Sequence, residues 1–186
     1  MGWSLWIERG VYYAIIAWLC WRWSRIHHKA MRYRITDPLT GLLNRRGFED
    51  RLKAEFNRAE RKHYRVGVVY LDCDGFKAIN DNKGHAVGDV VLQKIATIIR
   101  DNIRSYDQAG RIGGDEFVIL MPEVDEEKTE QIIERIQSSM QPTFEDFSEN
   151  ISLSICFAVS NEETDSPQEL IQSADRNMYQ KKREIG

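Results

Sequence analysis

The segment Val-Gly-Val-Val-Tyr-Leu, residues 66–71, constrains this chain more than any other. It is short, continuously apolar and rich in β-branched side chains, so both of its faces need cover. It reads as a central strand with packing layers above and below. Asn44 can cap a helix reaching about Arg61, with Phe48, Leu52, Phe56 and Ala59 along one face. A second helical stripe runs from Val87 to Arg104 through apolar residues at 87, 91, 95, 98 and 99. Residues 109–112 and 117–121 read as two strands of a hairpin joined by Gly113-Gly114-Asp115-Glu116, and Pro122 ends it. A helix from Glu126 to Met140 turns Ile132, Ile133, Ile136 and Met140 inward. Residues 151–159 alternate as a strand, and Pro167 opens a last helix carrying Leu170, Ile171, Ala174 and Met178. Asp37-Pro38 can cap and open a helical turn ahead of all of these. Strands mixed with helices, one hairpin among them, predict α+β or α/β layers.

The first 35 residues are a different kind of sequence. All five tryptophans fall here, at Trp3, Trp6, Trp18, Trp21 and Trp23, and Arg22, Arg25, His27, His28, Lys29, Arg32 and Arg34 follow or interleave. Tryptophan favours the water–lipid interface, and flanking cations favour its cytoplasmic side. A helix over residues 3–23 would be ~31 Å long, enough to span, although Glu8 and Arg9 cut the uninterrupted apolar run to ~18 Å. A helix lying in the interface and a helix packed on its own domain are the alternatives. A cleaved signal peptide is disfavoured, since no basic region precedes the run and no Ala-x-Ala follows it. The expectation is membrane attachment through residues 3–25, with a division into an anchor and stalk, 1–35, and a globular domain, 36–186.

The charge divides along the same line. Residues 1–35 hold six Lys/Arg and one acidic residue, a net of +5, which leaves -8 on the rest from 20 basic and 28 acidic residues. A mildly acidic globular part argues against a nucleic-acid-binding surface. Cys20, Cys73 and Cys156 lack metal-ligand spacing and fit free thiols in a reducing compartment.

The spacing also allows chemistry. Asp72 ends the buried run, Asp74 lies two residues on, and Asp115 and Glu116 sit at the hairpin tip. If those strands are neighbours, carboxylates gather at one edge of a sheet, and a hard divalent cation is the usual remedy for their repulsion. Mg²⁺ held there could bind a nucleoside triphosphate and activate a hydroxyl nucleophile. Gly113 and Gly114 let the backbone approach a bulky ligand. Lys77 could meet phosphate, and Asn80 and Asp89 could read a guanine edge. Each signal has an ordinary counterpart: a Gly-Gly pair is commonly just a turn, and acidic residues at loop tips are commonly solvated.

Three motifs together carry more. Asp-Pro-Leu-Thr-Gly-Leu-Leu-Asn-Arg-Arg-Gly-Phe at 37–48, residues 71–89 and Arg-Ile-Gly-Gly-Asp-Glu-Phe at 111–117 stand in order. With them the chain resembles the GGDEF domain of diguanylate cyclases from Asp37 to about Lys182. The resemblance implies a palm-like α+β fold, a central mixed or antiparallel sheet flanked by helices, here preceded by one hydrophobic amino-terminal helix. It implies condensation of two GTP molecules, one on each subunit of a homodimer, into cyclic di-GMP with release of pyrophosphate. By position, Asp72, the Cys73 carbonyl, Asp115 and Glu116 would hold Mg²⁺ or Mn²⁺, with Asp115 and Glu116 catalytic and Glu116 helping to deprotonate the attacking hydroxyl. Asn80 and Asp89 match guanine readers, Lys77 and Lys182 match phosphate contacts, and Gly113 and Gly114 match the substrate-facing turn. Arg111 matches a structural arginine beside the hairpin. With the anchor, the implied location is the bacterial inner membrane, with the catalytic domain in the cytoplasm.

Arg104-Ser105-Tyr106-Asp107 stands where the family has an RxxD site that binds product, so Arg104 and Asp107, with Arg135 as a secondary arginine, imply inhibition by cyclic di-GMP. The chain departs from the family at Cys156, where a glycine is usual, and at Asn177 and Lys181, where small residues are usual. The family's closing Gly-Arg-Asn has no counterpart before Gly186. A catalytically weak cyclic di-GMP receptor is the alternative, and a cyclase making adenine-containing products a third, against which Asp89 argues.

Overall fold

The computed structural model describes residues 13, 15–22, 35–145, 151–161, 164 and 166–185, apart from the side chains of 145, 175 and 179–185. The chain divides into two units, Met1–Arg34 and Ile35–Gly186. In the first, residues 15–22 are helical. Trp18, Leu19 and Trp21 are exposed, and the Arg22 guanidinium lies 5.2 Å from the centroid of the Trp18 ring. No helix among the described residues is long and apolar enough to cross a membrane. This corrects the expected inner-membrane location: the apolar run is too short for a hydrocarbon core of ~30 Å, and Arg22 closes it. Trp3, Trp6, Glu8, Arg9, Trp23 and the basic residues 25–34 lie outside the described residues.

In the second unit, five strands form one mixed sheet: β1 (Leu43–Asn44), β2 (Val66–Asp74), β3 (Gln108–Arg111), β4 (Glu116–Pro122) and β5 (Ser152–Val159). Their order is β1-β3-β4-β2-β5, with β1 parallel to β3 and every other pairing antiparallel. The helices are α1 (Arg45–Lys62), α2 (Phe76–Lys83), α3 (His85–Asn102), α4 (Glu126–Glu145) and α5 (Pro167–Ile185). The expected doubly covered strand is β2, hydrogen-bonded on both sides by β4 and β5. Alternation along it divides the core in two. Val69, Leu71 and Cys73 join Phe117 and Ile119 under Val91, Leu92, Ile95 and Ile99 of α3 and Ile132, Ile136 and Met140 of α4. Val66, Val68 and Tyr70 join Val118 and Leu120 under Phe48 and Leu52 of α1 and Leu170, Ala174 and Met178 of α5.

Local signals explain the element ends. Asn44 caps α1, its side chain accepting from the Gly47 amide at 2.9 Å, and His63 closes that helix in the left-handed region. Asp37 Oδ1 accepts from the Thr40 amide at 2.9 Å and the Thr40 hydroxyl at 2.7 Å, which fixes the turn after Pro38. Several boundaries differ from the sequence reading. The strand β2 continues past its apolar run to Asp74, because β5 pairs with it as far as Ser152 opposite Asp74. Glu116 belongs to β4 and not to the hairpin tip, since it pairs with Asp72 across the sheet. Helix α3 begins at His85 and ends at Asn102, where Ile103 turns extended. Helix α2 is an addition. It sits between Gly75 and Gly84, whose φ angles of 79° and 83° suit glycine and mark both of its ends.

Candidate active site

The adjacent ends of β2 and β4 place the predicted acids. Asp72 lies directly opposite Glu116 in the antiparallel ladder, and the Cys73 amide donates to the Asp115 carbonyl at 3.2 Å. Directly paired residues project to the same face with their Cβ atoms ~4.5–5.5 Å apart, so like charges there oppose each other. Asp74 projects from the same face two residues on, and its Oδ2 accepts from the Ser154 hydroxyl at 2.5 Å. Glu116 is held as well: the Tyr70 hydroxyl donates to its Oε1 at 2.8 Å.

The turn between β3 and β4 is tied at its carbonyls. The Ile112 amide donates to the Glu116 carbonyl at 3.0 Å, and Arg45 Nε, from the first turn of α1, donates to the Ile112 carbonyl at 3.1 Å. Arg111 Nη2 donates to the Gly114 carbonyl at 2.7 Å, and Arg111 Nη1 to Asp37 Oδ1 at 3.3 Å. Neither Gly113 nor Gly114 has a positive φ, so the turn does not use their conformational freedom. Gly113 is needed for room. A Cβ there would come within 1.9 Å of Glu116 Oε2, whereas one on Gly114 would meet nothing within 4 Å.

The candidate guanine readers come together through a glycine. Asn80 lies in the middle of α2, half-buried, and Asp89 is exposed near the start of α3, just past its first turn. Gly88, next to Asp89, is buried, and a Cβ on it would fall 2.1 Å from Asn80 Oδ1. Lys77 is exposed on α2. The Lys182 side chain lies outside the described residues.

A second group lies at the other end of β3, a strand ~13 Å long. Asp107 is 5% exposed and its Oδ2 accepts from the Arg104 amide at 2.8 Å, while Oδ1 is buried without a partner among the described residues. Burial pushes the Asp107 carboxyl above its ordinary value, against the opposing pull of the Arg104 amide and of the Arg104 and Arg135 charges. The Arg104 side chain reaches the Tyr106 hydroxyl at 3.0 Å, and Arg135 donates to the Asn102 carbonyl at the end of α3.

Among the described residues, no three His, Cys, Asp or Glu side chains gather into a metal site, so the expected three-carboxylate cluster is not formed by side chains alone. The donor set still fits a hard cation. Mg²⁺ is commonly bound by one or two carboxylates and takes its other ligands from phosphate and water. Two opposed carboxylates at an open turn match that requirement, and the Cys73 thiol is turned away from them into the core under α3 and α4.

Tyr70 and Arg45 were not singled out as parts of the site by sequence reasoning, and Arg111 was matched as a structural arginine without its partner Asp37. Tyr70 had one usable signal: it stands two residues before Asp72 and therefore shares its face of the strand.

This fold and this turn define a palm-like α+β domain with acids at the junction of two central antiparallel strands. The profile described as "Diguanylate cyclase, GGDEF domain" matches residues 34–186. The chain belongs to the GGDEF-domain diguanylate cyclase family. It is 40% identical over 148 residues to the diguanylate cyclase DgcS of Shewanella oneidensis, covering 78% of this chain and 49% of that protein. It is 41% identical over 153 residues to the diguanylate cyclase DosC of Escherichia coli, covering 79% of this chain and 33% of that one. The chain thus spans between a third and a half of the length of these relatives. Among solved structures, it resembles the GGDEF domain of TpbB (YfiN) from Pseudomonas aeruginosa, with a TM-score of 0.73, 40% identity, and coverage of 80% and 89% of the two chains. It also resembles the GGDEF domain of DgcB from Caulobacter crescentus in complex with c-di-GMP, with a TM-score of 0.73, 31% identity, and coverage of 80% and 90%.

Proposed function

We propose that the chain is a diguanylate cyclase whose catalytic domain is residues 36–186, and that two copies face each other to join two GTP molecules into cyclic di-GMP. The observation that carries this reading is the direct pairing of Asp72 with Glu116 beside a turn where the space at Gly113 is taken by the Glu116 carboxylate. The 3′-hydroxyl of each GTP attacks the α-phosphate of the other, and pyrophosphate leaves. Glu116 is positioned to accept the hydroxyl proton. Asp72, the Cys73 carbonyl, Asp115 and Glu116 would hold Mg²⁺ or Mn²⁺, which when bound neutralises charge on the triphosphate. Lys77 and Lys182 add positive charge for the phosphates. Asn80 and Asp89 distinguish guanine, because a carboxylate accepts from its N1 and N2 hydrogens and an amide can both donate and accept. An adenine ring offers no such donors at N1.

Product inhibition at Arg104, Asp107 and Arg135 is part of the proposal. A buried carboxylate oxygen without a partner beside two guanidinium groups supports a ligand-binding role for that corner. The test is incubation of the full chain with GTP and Mg²⁺ or Mn²⁺, followed by chromatography of the products. Cyclic di-GMP and pyrophosphate are expected. Absence of dinucleotide at high protein concentration, with calorimetric binding of cyclic di-GMP retained, would replace this reading with that of a receptor. A mixed ATP and GTP reaction tests for adenine-containing products.

A further inference from the structure

We propose that Tyr70 is a positioning residue: its hydroxyl fixes Glu116 so that Oε2 alone is presented to the reaction. This inference rests on the cyclase reading of the Asp72–Glu116 site and extends it to a residue outside the three motifs.

The sheet register explains how the contact arises. Tyr70 pairs with Val118 and Asp72 with Glu116, so Tyr70 and Glu116 are diagonal neighbours on one face. Diagonal Cβ atoms in a sheet lie ~7–8 Å apart, a gap that an aromatic side chain can bridge. The Tyr70 ring is immobilised below that gap. It is 7% exposed, lies opposite Cys156 across β2 and β5, and belongs to the core beneath α1 and α5. The hydroxyl emerges from this core at Glu116 Oε1, 2.8 Å away. A rigid ring with one polar tip loses little rotamer freedom in making such a bond.

The other carboxylate oxygen is placed by the turn. Oε2 occupies the space that a side chain at Gly113 would fill. Glu116 is therefore gripped on one oxygen and directed with the other toward the glycine turn, where substrate would lie. An untethered glutamate would sample several rotamers, and a misplacement of ~1 Å is enough to cost a large factor in rate. The tyrosine acts on geometry, through Glu116, and has no contact of its own with the reacting atoms.

Tyr70→Phe keeps the ring and its packing and removes only the hydroxyl. The expected result is a fall in kcat of about tenfold with KM for GTP within about twofold, as for loss of one hydrogen bond to a charged group that matters in the transition state. Mn²⁺ binding in the presence of a non-reacting GTP analogue, followed by electron paramagnetic resonance, is expected to weaken by about threefold or more, since a cation ligand has lost its anchor. The coupling is read in a Glu116→Asp background, where the shortened acid is out of reach of the hydroxyl. There Tyr70→Phe should change kcat by less than about twofold. An equal factor in both backgrounds would mean that Tyr70 acts through general packing, and would overturn the proposal. Unchanged kcat and unchanged Mn²⁺ binding in the single variant would overturn it as well. Failure of the cyclase reading shows differently: the unsubstituted chain itself would form no dinucleotide.

Discussion

Asp37 and Arg111, separated by 74 positions in sequence, meet at 3.3 Å, and the same arginine also holds the Gly114 carbonyl. One guanidinium thus joins the segment that leads into the domain to the turn that carries the acids. Burial works against the Asp37 charge, but the Thr40 hydroxyl and amide together with Arg111 outweigh it and hold the carboxyl below its ordinary value of 3.8. A depressed folded value means stability that is present in full above the unfolded pKa and is lost as pH falls through the folded one. Asp37→Asn is expected to cost about 1–2 kcal/mol near neutral pH. As pH falls through the depressed folded pKa the two proteins should converge. Urea unfolding at several pH values measures this. A pH-independent difference would show that the carboxylate charge is not the source.

The two glycines of the turn should respond differently to alanine. At Gly113 the new methyl would displace the Glu116 carboxylate, so kcat is expected to fall by about a hundredfold or more, because the acid leaves its reactive position. At Gly114 a methyl meets no protein atom, so stability should stay within about 0.5 kcal/mol. Any loss in Gly114→Ala should then appear in KM for GTP, as a bulky ligand meets the methyl. Steady-state kinetics with thermal unfolding of both variants separates these outcomes. Equal loss of kcat in both would contradict the spatial role assigned to Gly113.

Sequence periodicity carried the large elements because burial dictates it. The continuous apolar run at 66–71 became the doubly covered β2, and the stripes of Phe48, Leu52, Phe56 and Ala59 and of Leu170, Ala174 and Met178 became the buried faces of α1 and α5. The motifs named the acids, but their relationship depended on register, which no local pattern encodes. Whether Glu116 belonged to the turn or the strand was decided by its pairing with Asp72. Helix α2 escaped notice because only Ile79 in it is buried, too little to make a stripe. The contacts of Arg45, Tyr70 and Asp37 are long-range, so their partners could not be read from neighbouring residues. Two departures from the family pattern now have a structural place. Cys156 is buried beneath α5, and the Asn177 amide donates to the Phe157 carbonyl of β5 at 2.9 Å. At the amino terminus the abundance of tryptophan suggested a span, but no helix among the described residues is long and apolar enough to make one.

Gly88 offers a way to disturb Asn80 without altering its chemistry. A methyl at 88 would overlap Asn80 Oδ1 and force the amide to another rotamer. If Asn80 reads guanine, Gly88→Ala should raise KM for GTP by about tenfold while kcat changes little, the pattern of lost ground-state binding. Overpacking of the α2–α3 contact should also cost about 1–2 kcal/mol of stability. Kinetics at saturating and limiting GTP distinguish the two effects. A fall in kcat at unchanged KM would place Asn80 outside the substrate pocket.

Asp107 combines a cost in stability with the proposed inhibition. Its carboxyl is pushed up chiefly by burial, so the folded protein holds the proton more tightly than the unfolded chain does. Between the unfolded pKa and the raised folded one, stability therefore falls as pH rises, opposite in sign to Asp37. Asp107→Asn removes the buried charge and keeps an oxygen to accept from the Arg104 amide. It is expected to be as stable as the parent near pH 7, or more stable by up to about 1 kcal/mol, and to lack that fall in stability. The same variant should lose inhibition by cyclic di-GMP while its initial rate at low product is unchanged, because the site lies at the far end of β3 from Glu116. Progress curves with added cyclic di-GMP, together with denaturant unfolding, check both halves. Retained inhibition in a folded Asp107→Asn protein would remove Asp107 from the regulatory site.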